Sequence, residues 1–458
     1  MIERIQEDKT PLLLAVGLGG LVAAFLLFQA PLLAGSVFVG VGIFFLALFN
    51  RQVTLYLMIP AMALSPDIPV LGIPIRAEDL LIVPLAAGWL VHLSVFKARR
   101  QTALDRLMMA YFLVAVVATL WGGYMDTAHL FTAEKQISAP FHLLKRLEFV
   151  LIFFIMADAL GSLKEVRLFT YILIGSMAAM NIYSFQQFLA NGLIALGPGV
   201  EGHEAGVAAM VTVPLAVSLI PAARPPAKLL LGAFILFSLI VLPLSLGRNF
   251  LAVTGLLLLY VGLFQRQRWV LLLPILLVLS LSLYPSHVVE RAVSVRNLVT
   301  GDATNKQDTP VPLFIARAIP PARHAGEAFE TSPVLGLGMA SMPLGFIDNE
   351  YSVQLVYTGL VGLAIFLMLG ARLFRLSKES AAAARDPLDI GLTRGFPLVL
   401  VGYAFISFFG SSISPTHTGE FFFVIAALVG ALHRSLVQSS KAIHDARPAS
   451  DIARLTAD

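Results

Sequence analysis

Apolar residues run in blocks of membrane-spanning length along almost the whole chain, each block bounded by charge, Pro or Gly. Windows of this kind fall at 11–29, 32–49, 53–65, 77–96, 106–123, 143–161, 167–189, 205–222, 228–246, 249–264, 269–284, 351–371, 396–412 and 419–434. A helix needs about 20 predominantly apolar residues to cross the hydrocarbon core, so the pattern predicts an all-α polytopic membrane protein with about fourteen spans. The third window is short and holds Pro60, and a single polar point divides the ninth from the tenth, so the pattern is compatible with 12–14 transmembrane helices. The N-terminus mixes acids with bases, and its apolar run is followed almost at once by another; this is the pattern of a retained span rather than a cleaved signal peptide.

Charge in the short loops fixes an orientation. Lys97, Arg99, Arg100 and Arg106 follow the fourth window, Lys164 and Arg167 the sixth, Arg224 and Lys228 the eighth, and Arg266 and Arg268 the tenth. Arg372, Arg375, Lys378, Arg385 and Arg394 follow the twelfth, and Arg434, Lys441 and Arg447 lie in the tail. All fall on the side of the N-terminus, and basic loops mark the cytoplasmic face. Both termini are therefore predicted to be cytoplasmic. The parity constrains the topology more tightly than any one boundary, because a miscount of one span would break it. The chain then divides into a transmembrane region of about eleven spans (1–284), a periplasmic loop (285–347), C-terminal spans (348–434) and a cytoplasmic tail (435–458).

The loop carries five basic and five acidic side chains, so it is balanced in charge. Its segment 300–309 is polar, whereas 311–330 interleaves Leu313, Phe314, Ile315, Ala318 and Phe329 with Arg317, Arg323, His324 and Glu327. That spacing predicts one or two short amphipathic helices over the membrane face, divided at Pro320-Pro321. No internal repeat or soluble domain is evident.

Composition agrees with the pattern and narrows the chemistry. Hydrophobic residues make up 58% of the chain, charged residues 13%, and the mean hydropathy is +0.83, against about 25% charged residues in soluble domains. The formal charge of +4 is thus a topology signal and not a nucleic-acid footprint. With no Cys, disulfides, thiolate metal sites and cysteine nucleophiles are excluded.

Ionisable groups at membrane depth are costly and are functional candidates by default. Arg248, after Gly247 in Pro243-Leu-Ser-Leu-Gly-Arg-Asn-Phe250, interrupts an apolar run from Leu229 to Phe264. It is either a guanidinium snorkelling at a turn or a fixed cation at the outer interface suited to a phosphate. His142, Lys145, Arg146 and Glu148 open the sixth window, with His142 and Arg146 four apart on one helical face; an interfacial basic collar is the plainer account. Glu201, His203 and Glu204 precede the eighth window and can cap a helix. Arg76, Glu78 and Asp79 can pair with one another. Asp348-Asn349-Glu350-Tyr351 opens the twelfth window, where Asp or Asn is an ordinary N-cap and a carboxylate is also placed to act as a general base.

At these residues the chain resembles the O-antigen ligase and O-antigen polymerase superfamily, GT-C-like membrane glycosyltransferases that use undecaprenyl-diphosphate-linked saccharides. The match covers roughly 201–370. Ser245-Leu-Gly-Arg248 before an apolar span is similar to the family's Ser/Gly-Arg element. Ser332-Pro-Val-Leu-Gly-Leu-Gly338 resembles the Pro-x-x-Gly-x-Gly that ends its periplasmic loop. Asp348-Asn349, nine residues, then Gly359-Leu-Val-Gly362 has the spacing of its His-Asn/Ser/Gln, nine residues, Gly-x-x-Gly motif, with Asp348 where ligases of the family carry His. Arg76-Ala-Glu-Asp79 is a looser shared feature.

The resemblance implies a metal-independent, inverting glycosyltransferase of the bacterial inner membrane that needs no cofactor. Its partners would be a lipid-linked donor, a glycan or lipid A core acceptor and membrane lipids, without nucleic acid. In that reading Arg248 steadies the departing diphosphate and Asp348 deprotonates the acceptor, while Arg317, Arg323, His324, Arg146, Lys145, His203, Asn349 and Glu350 bind substrate. The Asp348 departure points to an O-antigen or exopolysaccharide polymerase; the alternative is a ligase joining glycan to lipid A core. A lipid-linked oligosaccharide transporter is the rival from another class, and it would show paired Gly/Pro-broken spans in both halves.

Overall fold

Among the described residues twelve α-helices form where the last twelve apolar windows fall. A computed structural model describes residues 51–64, 68–70, 73–96, 99–124, 133–191, 202–245, 248–265, 267–284, 329–339, 349–409 and 416–455, with a few isolated positions between them. The two windows at 11–29 and 32–49 lie almost wholly outside the described residues. The helices are α1 (Arg51–Leu64), α2 (Ala77–Phe96), α3 (Asp105–Tyr124), α4 (Ala133–Ala159), α5 (Leu163–Asn191) and α6 (Gly202–Leu219). They continue with α7 (Pro225–Val241), α8 (Arg248–Phe264), α9 (Leu272–Ser280), α10 (Glu350–Ala383), α11 (Pro387–Phe409) and α12 (Thr416–Leu455). Among the described residues six helices are long and apolar enough to cross a membrane and five apolar ones are shorter. The chain is an all-α polytopic membrane protein.

One element was not anticipated. Ile68–Val70 (β1) and Ile73–Ile75 (β2) pair antiparallel, with Ile68 opposite Ile75, as a small ribbon leading into α2. Its β-branched residues suit extended backbone, but three-residue strands are too short to show an alternating pattern.

Burial explains the arrangement. α12 is the central helix: every residue from Phe421 to Leu432 is buried, and 83% of its apolar window is covered, against 28% for α3. A helix apolar all round belongs in the middle of a bundle. α12 packs along α4 and α10, α6 against α11, α10 against α3 and α11, and α1 against α5. Leu272, Ile275, Val278 and Leu279 of α9, and Leu113, Val117 and Leu120 of α3, stay exposed as a face for lipid. Several interior hydroxyls are satisfied locally: Thr170, Ser184, Thr212 and Ser380 donate to carbonyls four residues back.

The two ends of the bundle differ in charge pattern. At one end Arg434 donates to the carbonyls of Arg100 and Ala157, the Arg100 amide donates to Asp158, and Arg167 bridges Asp386 and Asp389. This gathers the loops after α2, α4 and α10 together with the C-terminal half of α12, as the alternation of basic loops requires. The opposite end holds the heads of α2, α6, α8, α10 and α12.

α10 is broken at Gly359, whose φ of 64° and ψ of −164° leave the helical region for one essentially reserved to glycine. The segment Ser332–Met339 fills the break. Leu337 and Gly338 amides donate to the Val356 and Tyr357 carbonyls at 2.8 and 3.1 Å, and Leu360 and Val361 amides donate to Pro333 and Val334 carbonyls at 2.9 and 3.2 Å. Two carbonyls and two amides of the broken helix thus find partners in the segment, as apolar surroundings favour. On its other side the segment meets α3, where Trp121 Nε1 donates to Ser332 Oγ (3.2 Å) and the Met339 amide donates to Thr119 Oγ1 (3.1 Å).

Candidate functional site

The end of the bundle opposite the basic loops carries a buried polar network. Its first part grows from the start of α2. Asp79 accepts the backbone N–H of Arg76 (2.9 Å), the reach of an N3 carboxylate back to the residue before a helix, and Arg76 pairs with Glu78 at 2.9 Å. Lys145 of α4 then bridges Asp79 and, one helical turn on, Glu148 at 3.0 Å. The pairing foreseen within Arg76-Ala-Glu-Asp79 is present and extends across two helices. Glu420, four residues into α12, is fully buried beside these groups; Glu78, Glu148, Lys145 and Arg76 are the charges that act on it.

The second part lies at the head of α10. Asn349 is the N-cap, with its oxygen accepting the Ser352 amide at 3.0 Å, while its Nδ2 donates to the Phe408 carbonyl at the end of α11 (3.2 Å). Glu350 is 0% exposed. It accepts from Gln354 Nε2 at 2.7 Å and from the Ile413 amide at 3.1 Å, tying α10 to the turn that leads into α12. Tyr351 donates to the Ala404 carbonyl at 3.0 Å. Asn349 and Glu350 therefore position three helices against one another.

Arg146 lies between the two parts. It is 3% exposed, donates to the Tyr111 hydroxyl and lies over that ring, 4.9 Å from its centroid. Among the described residues no carboxylate is ion-paired with it, although Lys145 next to it has two. The cation–π contact is worth about 2 kcal/mol when desolvated, less than the several kcal/mol that burying an ion costs. Among the described residues, then, no anion offsets the burial of the Arg146 guanidinium.

Of the other residues singled out from sequence, Arg248 opens α8 and His203 lies in the first turn of α6; their side chains are outside the described set. The starts of these two helices adjoin, since a Cβ on Gly206 would overlap the Phe250 ring. α6 runs antiparallel to α11, Gly391 lying by Ser218 and Gly402 by Met210, and α11 ends beside Asn349. The heads of α6, α8 and α10 therefore share one end of the bundle. Arg317, Arg323, His324 and Asp348 lie outside the described residues.

Glu420, Tyr111 and Gln354 belong to the network and were not anticipated. A lone acid in the apolar run Gly419-Glu-Phe-Phe-Phe423 was a signal for Glu420. Tyr111 and Gln354 had none, because a single polar residue on an apolar helix face looks the same in sequence wherever it points.

Among known proteins, no family profile matches the chain and none of the curated proteins does.

Proposed function

We propose that the chain is a membrane glycosyltransferase that transfers glycan from an undecaprenyl-diphosphate-linked donor on the periplasmic face, in the manner of an O-antigen or exopolysaccharide polymerase. The observation that carries this reading is Arg146, a buried guanidinium facing no carboxylate partner among the described residues. A planar guanidinium can hold two phosphate oxygens at once, and a diphosphate is the group on which charge develops when the glycosidic bond to the lipid breaks. A second support is the contact between two pieces of the motif pattern: the Pro333–Gly338 segment is hydrogen-bonded into the break at Gly359. The basic loops at the other end of the bundle support a reading in which this end faces outward.

In the proposed reaction the acceptor hydroxyl oxygen bonds to the anomeric carbon from the face opposite the diphosphate. The carbon–oxygen bond to the diphosphate breaks, its electron pair leaves with the diphosphate, and the configuration inverts. Arg146, with Arg248, Arg317 and Arg323, stabilises the leaving group, and Asp348 takes the hydroxyl proton. His203 and His324 are further donors for the glycan. Lys145, Asn349 and Glu350 direct their polar atoms to neighbours within the protein and act by positioning. Transfer to lipid A core would use the same donor and differ only in the acceptor.

The test is turnover of lipid-linked donor by purified wild-type, Arg146→Lys and Arg146→Ala proteins that reach the membrane equally. Loss of one preorganised donor to the developing charge costs about 100-fold in rate, and Arg146→Ala is expected to lose at least that. Full activity in Arg146→Ala overturns the assignment. Movement of donor between leaflets without its consumption overturns the enzyme reading in favour of a transporter. The break in α10 alone does not favour that rival, because the Val356 and Tyr357 carbonyls and the Leu360 and Val361 amides are taken by 333–338 rather than open to a substrate.

A further inference from the structure

We propose that Glu420 is a proton-binding site, occupied at neutral pH. Among the described residues neither of its carboxyl oxygens has a hydrogen-bond partner, and the residue is 0% exposed. The cations nearby are already committed: Lys145 to Asp79 and Glu148, and Arg76 to Glu78. Within this network the carboxyls of Glu78, Asp79, Glu148 and Glu420 thus outnumber the two cations. The other charged or titratable groups described at this end do not alter the balance. On α4, Arg146 is turned to Tyr111, and His142, a turn before it, adds no negative charge. On α10, the Glu350 oxygens are taken by Gln354 and Ile413. α6 opens with His203 and Glu204, whose side chains lie outside the described set, and the charged groups of α5 and α11 that pair, Glu165, Arg167 and Asp389, lie at the other end of the bundle.

Ionised carboxylates that share a desolvated site repel one another, and a lone buried charge is more costly still. The N-terminal dipole of α12 favours an anion at Glu420, yet it is weak beyond the first turn. No group of acids or histidines among the described residues is arranged to hold a metal ion. A proton is the one neutralising ligand that needs no room and no further ligands. The inference does not depend on the reaction proposed above.

Because the folded protein then carries one more proton at neutral pH than its unfolded chain, its stability falls as pH rises and the proton is drawn off. Infrared spectra of the purified full-length protein in lipid nanodiscs test the site directly. A carboxylic-acid C=O band at pH 7, bleached at alkaline pH, is expected in the wild type. Glu420→Gln should remove one carboxyl equivalent of that band, melt no lower than the wild type at pH 7, and lose less melting temperature between pH 7 and 9. Glu420→Asp, which keeps the acid, should keep the band. The proposal is overturned if the wild type shows no such band at pH 7, a result that needs no variant. It is also overturned if Glu420→Gln leaves the band intact, or if sodium or potassium raises the melting temperature of the wild type and not of Glu420→Gln, which would make the occupant a metal cation.

Discussion

Gly359 shows how far one residue can decide local structure here. Its backbone lies in a region that costs non-glycine residues about 1–3 kcal/mol, and a Cβ there would overlap the Val334 carbonyl and approach the Gly336 nitrogen at 2.6 Å. Gly359→Ala is expected to destabilise the protein by about 3 kcal/mol, read as a lower melting temperature and poor recovery from membranes. Gly370→Ala, about three helical turns further along α10 with open space around it, is the control, and alanine's better helix propensity should leave it neutral or stabilised by up to about 1 kcal/mol. At this scale the sequence was informative where a residue acts through its neighbours in the chain. The N-cap at Asn349, the shared face of His142 and Arg146, and the pairing within Arg76–Asp79 all follow from local spacing. The pairing of Lys145 with Asp79 and of Glu350 with Ile413 spans distant segments, so no local pattern could contain it.

Among the elements, helix positions followed hydropathy closely because lipid leaves the backbone no alternative to internal hydrogen bonding. The window at 77–96 matches α2 to the residue, and 106–123 falls one residue inside α3 at each end. Where helices outran their windows, the extra turns are polar. α4 begins ten residues before 143, through Glu134-Lys-Gln136 and across Pro140, and α10 runs on through Arg372-Leu-Phe-Arg375 to Ala383. Polar side chains end an apolar window without ending a helix, since Glu, Lys, Gln and Arg are good helix formers in water. The break in α10 was marked by a glycine motif but not by its geometry. What fixes it is the Ser332–Met339 segment docking from outside the helix, and this docking makes the last part of the loop an integral piece of the bundle.

For the whole molecule, the alternation of basic loops was readable before any helix was placed, and the structure gathers those loops that are described at one end. Which compartment that end faces can be tested cleanly because the native chain has no Cys. Val334→Cys, exposed in the segment that docks on α10, and Ala382→Cys, exposed near the end of that helix, should react oppositely with a membrane-impermeant maleimide. Val334→Cys is expected to label in intact spheroplasts and Ala382→Cys only after lysis; the reverse would invert the topology and move the polar network to the cytosol. The most direct measurement of the central claim is equilibrium binding of undecaprenyl diphosphate to the purified protein in nanodiscs. The wild type should bind it, and Arg146→Ala, folded equally well, should bind at least about tenfold more weakly, a loss of about 1.4 kcal/mol. Equal affinity in the two proteins would contradict the claim that this buried guanidinium is the diphosphate's partner.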